Sequence, residues 1–188
     1  MTPHFNFSTF PILETPRLLL RELLPSDAEA IFRIRGDHQV TQYNTGRPYE
    51  SVEQASDLLD AISAAYDDKA EVRWGITLKQ SDGQVIGMCG YNYWQRVDQR
   101  ASVGYDLARA AWGQGIMTEA LRAVVWFGFE RMELHRVEAD AEARNTASLR
   151  VLEKVGFRRE GVQRDYFYAG GAFHDLVLFG LLRHEFIA

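Results

Sequence analysis

The segment VGYDLARAAWGQGIMTEAL, Val103 to Leu121, passes from a β-type run through a short loop into Gly113-Gln114-Gly115, directly ahead of residues with helical apolar spacing. Glycines at a strand-to-helix junction let backbone N–H groups approach a ligand without Cβ interference, at the positive end of a helix dipole. The arrangement suits phosphate, and a diphosphate above all. A Gly-x-Gly also occurs as a plain tight turn with nothing bound, so its surroundings decide.

Those surroundings exclude two familiar phosphate loops. No Gly-Lys-Ser/Thr is present, so the nucleotide P-loop fails. A dinucleotide fingerprint would want a third small residue at Thr118, with Glu138 or Asp140 as its acidic ribose partner. It fails on topology. The runs VRWGITLKQ, QVIGMCGYNYW and RASVGYDLA, parted by turn residues such as Ser81-Asp82-Gly83, read as an antiparallel meander and not as a βαβαβ array. A single strand-helix-strand crossover follows. Ile116, Ala120, Leu121, Val124 and Phe127 give a helix from Gly113 to about Arg131, and RVEADA is the short strand after it.

The rest of the chain fits around that crossover. RLLLREL, after the rigid Thr15-Pro16 step, reads as a strand. Pro25-Ser26-Asp27 opens a helix that Ser26 or Asp27 is expected to cap, with Ala28, Ile31, Phe32 and Ile34 as its apolar stripe and Gly36 as its end. Ser51 and Gln54 have capping-box spacing for a second helix to about Tyr66, and the two helices are expected to cover one side of a site. Asn145 caps a further helix with Leu149, Leu152 and Val155 on one face and Gly156 as its stop. FRREGVQRDYFYA and AFHDLVLFGLL flank Gly170-Gly171 as a closing hairpin. The expected fold class is α+β, a mixed and mostly antiparallel sheet with flanking helices. With no repeat or linker in view, residues 1–188 are expected to form a single domain.

Composition narrows the partners. With 188 residues and 46% apolar content the chain can bury a core of its own. The 21 basic and 26 acidic residues give a net charge of −5 without like-charge blocks, so neither nucleic acid nor an anionic membrane is expected, and a cationic substrate is better tolerated than a polyanion. No apolar run is long enough to span a bilayer, and MTPHFNFSTFPILETPR lacks the pattern of a secretory leader, so a cytoplasmic location is expected. Cys89, in IGMCGYNYW, is the only cysteine and reads as an inert buried thiol. His135 and His174 lack paired metal spacing, and His174 beside Asp175 reads as a brace of the hairpin. No metal is assigned.

The pairing of W-G-Q-G-I-M-T-E-A-L (Trp112 to Leu121) with N-T-A-S-L-R-V-L-E-K-V-G-F (Asn145 to Phe157) resembles the GNAT superfamily of N-acetyltransferases. The nearest branch is that of the bacterial ribosomal-protein N-terminal alanine and serine acetyltransferases. The likeness extends from T-P-R-L-L-L-R (Thr15 to Arg21) through W-G-I (Trp74 to Ile76) and I-G (Ile86, Gly87) to G-G-A-F-H-D (Gly170 to Asp175).

The resemblance implies an enzyme that moves acetyl from acetyl-CoA to a primary amine by direct attack. It implies that the strand over Ser102 to Leu107 splays from the one over Arg136 to Asp140, with pantetheine in the gap. Backbone groups of Leu107, Ala108 and Arg109 would pair with the pantetheine amides. The N–H groups of Gly113, Gln114, Gly115, Ile116, Met117 and Thr118 would hold the pyrophosphate, and Asn145 would bond the pantetheine arm. Ser148 would give the departing thiolate its proton, because Leu152 stands where many members have a tyrosine.

Three departures from the family pattern stand out. Ala110 replaces a polar residue ahead of the first glycine, and the two usual glutamates are missing, at Ala101-Ser102-Val103 and at Phe167. The base is left among Glu138, Asp140, Asp165 and water. An α-amine, titrating near ~8 against ~10.4 for lysine, needs the least help. A peptide or protein N-terminus is the expected acceptor, with a polyamine, amino acid or antibiotic as the alternative. A non-catalytic acyl-CoA sensor is a third reading, and a homodimer is left open. Tyr91, Tyr93, Trp94, Tyr166, Phe167 and Tyr168 could line an acceptor slot or pack the core, and strand alternation allows at most half of them to face one site.

Overall fold

The computed structural model describes residues 5–44 and 47–187. Residues 1–4, part of the N-terminal stretch read above, lie outside the described residues. One eight-stranded sheet runs through the molecule, built from β1 (Leu13–Glu14), β2 (Leu18–Arg21), β3 (Val72–Leu78), β4 (Val85–Gln95), β5 (Arg100–Leu107), β6 (Arg136–Glu142), β7 (Arg158–Ala169) and β8 (Ala172–Leu182). Their order across the sheet is β1-β2-β3-β4-β5-β6-β8-β7. Every neighbouring pair is antiparallel except β5 and β6, which are parallel. The mixed, mostly antiparallel sheet expected from the sequence is the sheet observed.

Alternation along the strands loads both faces. Leu18, Leu20, Trp74, Ile76, Cys89, Tyr91, Val103 and Val137 point to one face and pack under α4 (Ile116–Glu130), which presents Ala120, Leu121, Val124 and Phe127, and under α5 (Thr146–Val155). The opposite face is covered by α1 (Ala28–Arg35) and α3 (Val52–Asp67), where Ile31, Ile34, Leu59 and Ile62 close over Val85 and Met88. Each large apolar side chain buried in this way contributes roughly 1.5–3 kcal/mol. The contact of α4 with the sheet requires Gly128, because a Cβ there would collide with the Tyr91 hydroxyl, which donates to Val124 O at 3.0 Å.

Two local expectations change. Asp27 does not cap α1; the chain makes a 3₁₀ turn at Pro25–Asp27, and the Asp27 carboxylate takes both Arg21 Nη groups and the Leu24 N–H, each at 2.8 Å. The charged fork is a stronger partner for this carboxylate than an amide at a helix end. A short helix, α2 (His38–Thr41), was not expected; Asp37 caps it by accepting from Gln39 N at 2.9 Å. The capping-box residue Gln54 takes the Ser51 and Glu50 N–H groups at 3.3 and 2.7 Å. No helix among the described residues is long and apolar enough to cross a membrane.

Parallel pairing of β5 with β6 is confined to Arg100–Ser102 against Arg136–Glu138. Beyond Ser102 the strands part. β5 stays registered with β4 as far as Leu107, and β6 with β8 as far as Glu142, so a gap opens in the middle of the sheet. At its base Arg100 and Arg136 both grip Glu138, at 3.1 and 2.8 Å.

Candidate active site

A cleft of about 810 Å³ occupies this gap and continues over the start of α4 and along α5. At its phosphate-sized end, Gly113 and Gly115 both have φ of +74°, the left-handed region where glycine is at ease, and Gly115 is the N-cap of α4. The helix therefore starts at Ile116, one turn later than its sequence suggested, and the whole glycine run is loop. That loop is braced from behind. Arg17 Nη1 donates to Gln114 O at 2.9 Å, while Glu119 in the first turn of α4 accepts from Thr15 Oγ1 and Arg17 Nε, both at 2.6 Å. These bonds hold the Glu119 carboxyl below the ordinary range against the opposing effect of its burial.

Of the residues assigned to the donor, Leu107, Gly113, Gly115, Ile116, Met117, Thr118, Asn145 and Ser148 line the cleft. Ala108, Arg109 and Gln114 do not. The Ala108 N–H is spent on Ile86 O at 2.8 Å, Arg109 pairs with Asp37 at 2.9 Å, and the Gln114 side chain turns back to Ala110 O at 2.9 Å. Leu107 O accepts from Trp112 Nε1 at 2.8 Å. Asn145 caps α5, its Oδ1 accepting from Ser148 N at 3.1 Å.

Ser148 has a partner that sequence reading missed. Tyr105 on β5 places its hydroxyl 2.7 Å from Ser148 Oγ and 3.3 Å from Ser148 O. Burial drives the Tyr105 pKa well above its usual value, with the Ser148 bond pulling weakly the other way, so the phenol stays protonated. The signal was present. Alternation along VGYDL sends Val103, Tyr105 and Leu107 to one face of the sheet and Gly104 and Asp106 to the other.

The opposite face of the gap carries the acids. Asp106 is buried and held by Arg35, whose Nε and Nη2 donate at 3.0 and 2.6 Å, and by Asn44 Nδ2 at 2.9 Å. Glu142 is closed by Arg144, with contacts of 2.9 to 3.1 Å. Asp140 has no such partner among the described residues; it opens to the cleft, and partial loss of hydration raises its pKa above the ordinary carboxylate range. Among the candidate bases, Glu138 is clamped by two arginines, and Asp165 lies on β7 outside the cleft lining with its N–H on Asp175 Oδ1 at 3.0 Å. Asp140 alone of the three lines the cleft.

Among the six aromatics, Phe167 lines the cleft; Tyr91 is core, Trp94 stacks with Phe5 and Phe7, and Tyr93, Tyr166 and Tyr168 face outward. Tyr43, ahead of α3, is a further aromatic of the lining. His174 bonds Ala169 O at 3.0 Å within the hairpin. Cys89 is fully buried, and desolvation pushes its thiol up to about 12. No group of three or more potential metal ligands is found among the described residues.

The family model described as "Acetyltransferase (GNAT) domain" matches residues 17–158. The uncharacterized N-acetyltransferase p20 of Bacillus licheniformis is 37% identical over 174 residues, covering 93% of this chain and 97% of its own. The spermidine N(1)-acetyltransferase of Escherichia coli K12 is 23% identical over 169 residues, covering 90% of this chain and 88% of its own. Among solved structures, Mycobacterium smegmatis RimJ in complex with CoA-disulfide superposes with a TM-score of 0.82 at 29% identity, over 93% of this chain and 87% of that one. With a glycine loop at a helix start, a sheet parted at its middle and relatives matched over nearly their full length, the chain belongs to the GNAT family of acetyltransferases.

Proposed function

We propose that the chain transfers the acetyl group of acetyl-CoA directly to the α-amine of a peptide or protein N-terminus. The observation that carries this reading is the division of labour across the gap, with two hydroxyls on one face and, on the other, a carboxylate without a partner among the described residues. The pyrophosphate fits the N–H groups of the loop from Gly113 to Thr118, and an extended pantetheine arm fits between β5 and β6, whose facing edges are not paired with each other beyond Ser102 and Glu138. The thioester then lies beside Ser148. A neutral amine entering from the Asp140 face attacks the carbonyl carbon, and the nitrogen of the adduct passes its extra proton to that carboxylate, directly or through water. When the tetrahedral intermediate collapses, the C–S bond breaks and the thiolate takes the Ser148 proton, which Tyr105 replaces before recovering its own from water in the cleft.

Asp140 supplies the carboxylate whose apparent want motivated the sensor reading. An α-amine is favoured over lysine because it is already partly neutral near neutral pH. The spermidine acetyltransferase among the relatives keeps a polyamine as the alternative acceptor. The test is a screen of peptide N-termini and small amines that follows CoA thiol release. Turnover best with peptide α-amines supports the proposal; best turnover with a polyamine overturns the acceptor, and tight CoA binding without turnover overturns the activity.

A further inference from the structure

The face of the sheet that carries Asp140 also carries a trough with a positive end. The register places Arg73 on β3 opposite Gly90 on β4, and Gly90 opposite Gly104 on β5. Continuing the β5–β6 pairing two residues past Ser102 and Glu138 brings Asp140 across the gap from Gly104. Neither glycine of this floor brings a side chain of its own, so neighbouring groups lie close over both. A bulge in β4 puts Asn92 over that floor, where a Cβ at Gly104 would collide with its carboxamide. Arg73 Nη2 donates to Asn92 Oδ1, which turns the Asn92 NH₂ toward Gly104. Both side chains line the cleft.

The charges there are unequally satisfied. Arg35 with Asp106 and Arg144 with Glu142 are closed pairs. Arg73 is only 12% exposed, its one acid among the described residues is Glu71 at a loose 3.5 Å, and its Nε is buried with no acceptor among them. A guanidinium held like this is under-compensated, and an added acceptor oxygen nearby would be bound favourably. A polyamine needs several free carboxylates, whereas among the described residues this face offers one and sets a cation and an amide donor beside it.

We infer that Arg73 and Asn92 read a carbonyl oxygen of the acceptor while Asp140 receives its amine, so that the site selects amines bearing a carbonyl on the adjoining carbon. In such a group the amine nitrogen and the oxygen are only about 3 Å apart, a span that side chains on either side of the two-glycine floor can grip at both ends. The inference rests on the proposed acetyl transfer and names the substrate chemistry of the same site. Free amino acids and peptide N-termini share that chemistry.

The experiment compares serinamide with ethanolamine, which lacks only the carboxamide, by thiol release in the wild type, in Asn92→Asp and in Arg73→Met. Asn92 is exposed, so its variant should keep the fold while setting a carboxylate against Arg73. The wild type should favour serinamide at least tenfold in kcat/KM. Each variant should lose at least tenfold of that selectivity through a raised KM for serinamide, and calorimetric affinity for CoA should stay within threefold. Using the ratio cancels the differing basicity of the two amines. Free serine and a Ser-initial peptide, run alongside, assign the source, and preference for either over ethanolamine supports the inference. Thiol release with unchanged selectivity in both folded variants overturns it alone. No release with any amine overturns the transfer reading, and this one with it.

Discussion

The Tyr105 hydroxyl lies 2.7 Å from the Ser148 hydroxyl, joining β5 to the first turn of α5 across the gap in the sheet. Many GNAT enzymes are expected to hold a tyrosine on the helix itself, at the position of Leu152, which is fully buried in the core here. The phenol arrives instead from the strand.

Ser148→Ala should lower kcat at least tenfold and leave the affinity for CoA within a few-fold, because a contact used in the transition state spares ground-state binding. Tyr105→Phe should cost less, since Ser148 can still donate once. The double variant should be little worse than Ser148→Ala, as expected for two groups acting in one chain. Steady-state thiol release with calorimetry on each variant checks all three; additive losses would break the relay.

If Asp140 is the base it must be ionised to work, so kcat/KM should fall as pH drops through its pKa, raised above the usual carboxylate range by desolvation. Asp140→Asn should remove that acidic limb and most of the rate. The same raised pKa means that the native state binds the proton more tightly than the unfolded chain, so the ionised form costs stability above the native pKa. The asparagine variant should therefore melt slightly higher at pH 7, and the gain should vanish as the pH falls to the ordinary carboxylate range. A flat pH profile shared by both proteins would remove Asp140 from the chemistry.

Gly113→Asp would set a carboxylate and a Cβ at φ +74°, facing the expected pyrophosphate. Acetyl-CoA at a hundredfold excess over Kd should stabilise the wild type by about 2.7 kcal/mol and the folded variant by almost nothing, and NADH should stabilise neither. Equal melting shifts in both proteins would reduce the loop to a turn.

Gly128→Ala tests packing alone. The added methyl would overlap the Tyr91 hydroxyl and displace its bond to Val124 O, so a loss of about 2–4 kcal/mol is expected from overpacking plus a broken buried hydrogen bond. Pairing it with Tyr91→Phe, which clears the hydroxyl, should recover part of the loss in denaturant melts.

The order of elements was legible in the chain because periodicity and punctuation agree: Ser51 with Gln54, Asn145 with Gly156, and Gly170-Gly171 each mark an end that the structure keeps. Gly113 and Gly115 were legible for the same reason, as backbone requirements written in residue type. Side-chain partnerships across distant elements were not. Asp27 reads as a cap until Arg21 is placed beside it, and Glu138 and Asp140 look alike in RVEAD until two arginines close on the first and, among the described residues, none on the second. Ala108 and Arg109 were assigned for their backbone groups by position in a motif; the structure adds that the Ala108 N–H bonds Ile86 O and that the Arg109 side chain pairs with Asp37.

The short β5–β6 pairing has a consequence for self-association. An unpaired strand edge normally invites another chain, and proteins protect it with charge, bulges or cover. Here two such edges, beyond Ser102 and Glu138, face each other inside the molecule. They keep the adhesive hydrogen-bonding capacity of an open sheet, yet a folded neighbour cannot reach them. A slender extended molecule can, so the fold withholds from aggregation the same valences that it offers to a ligand.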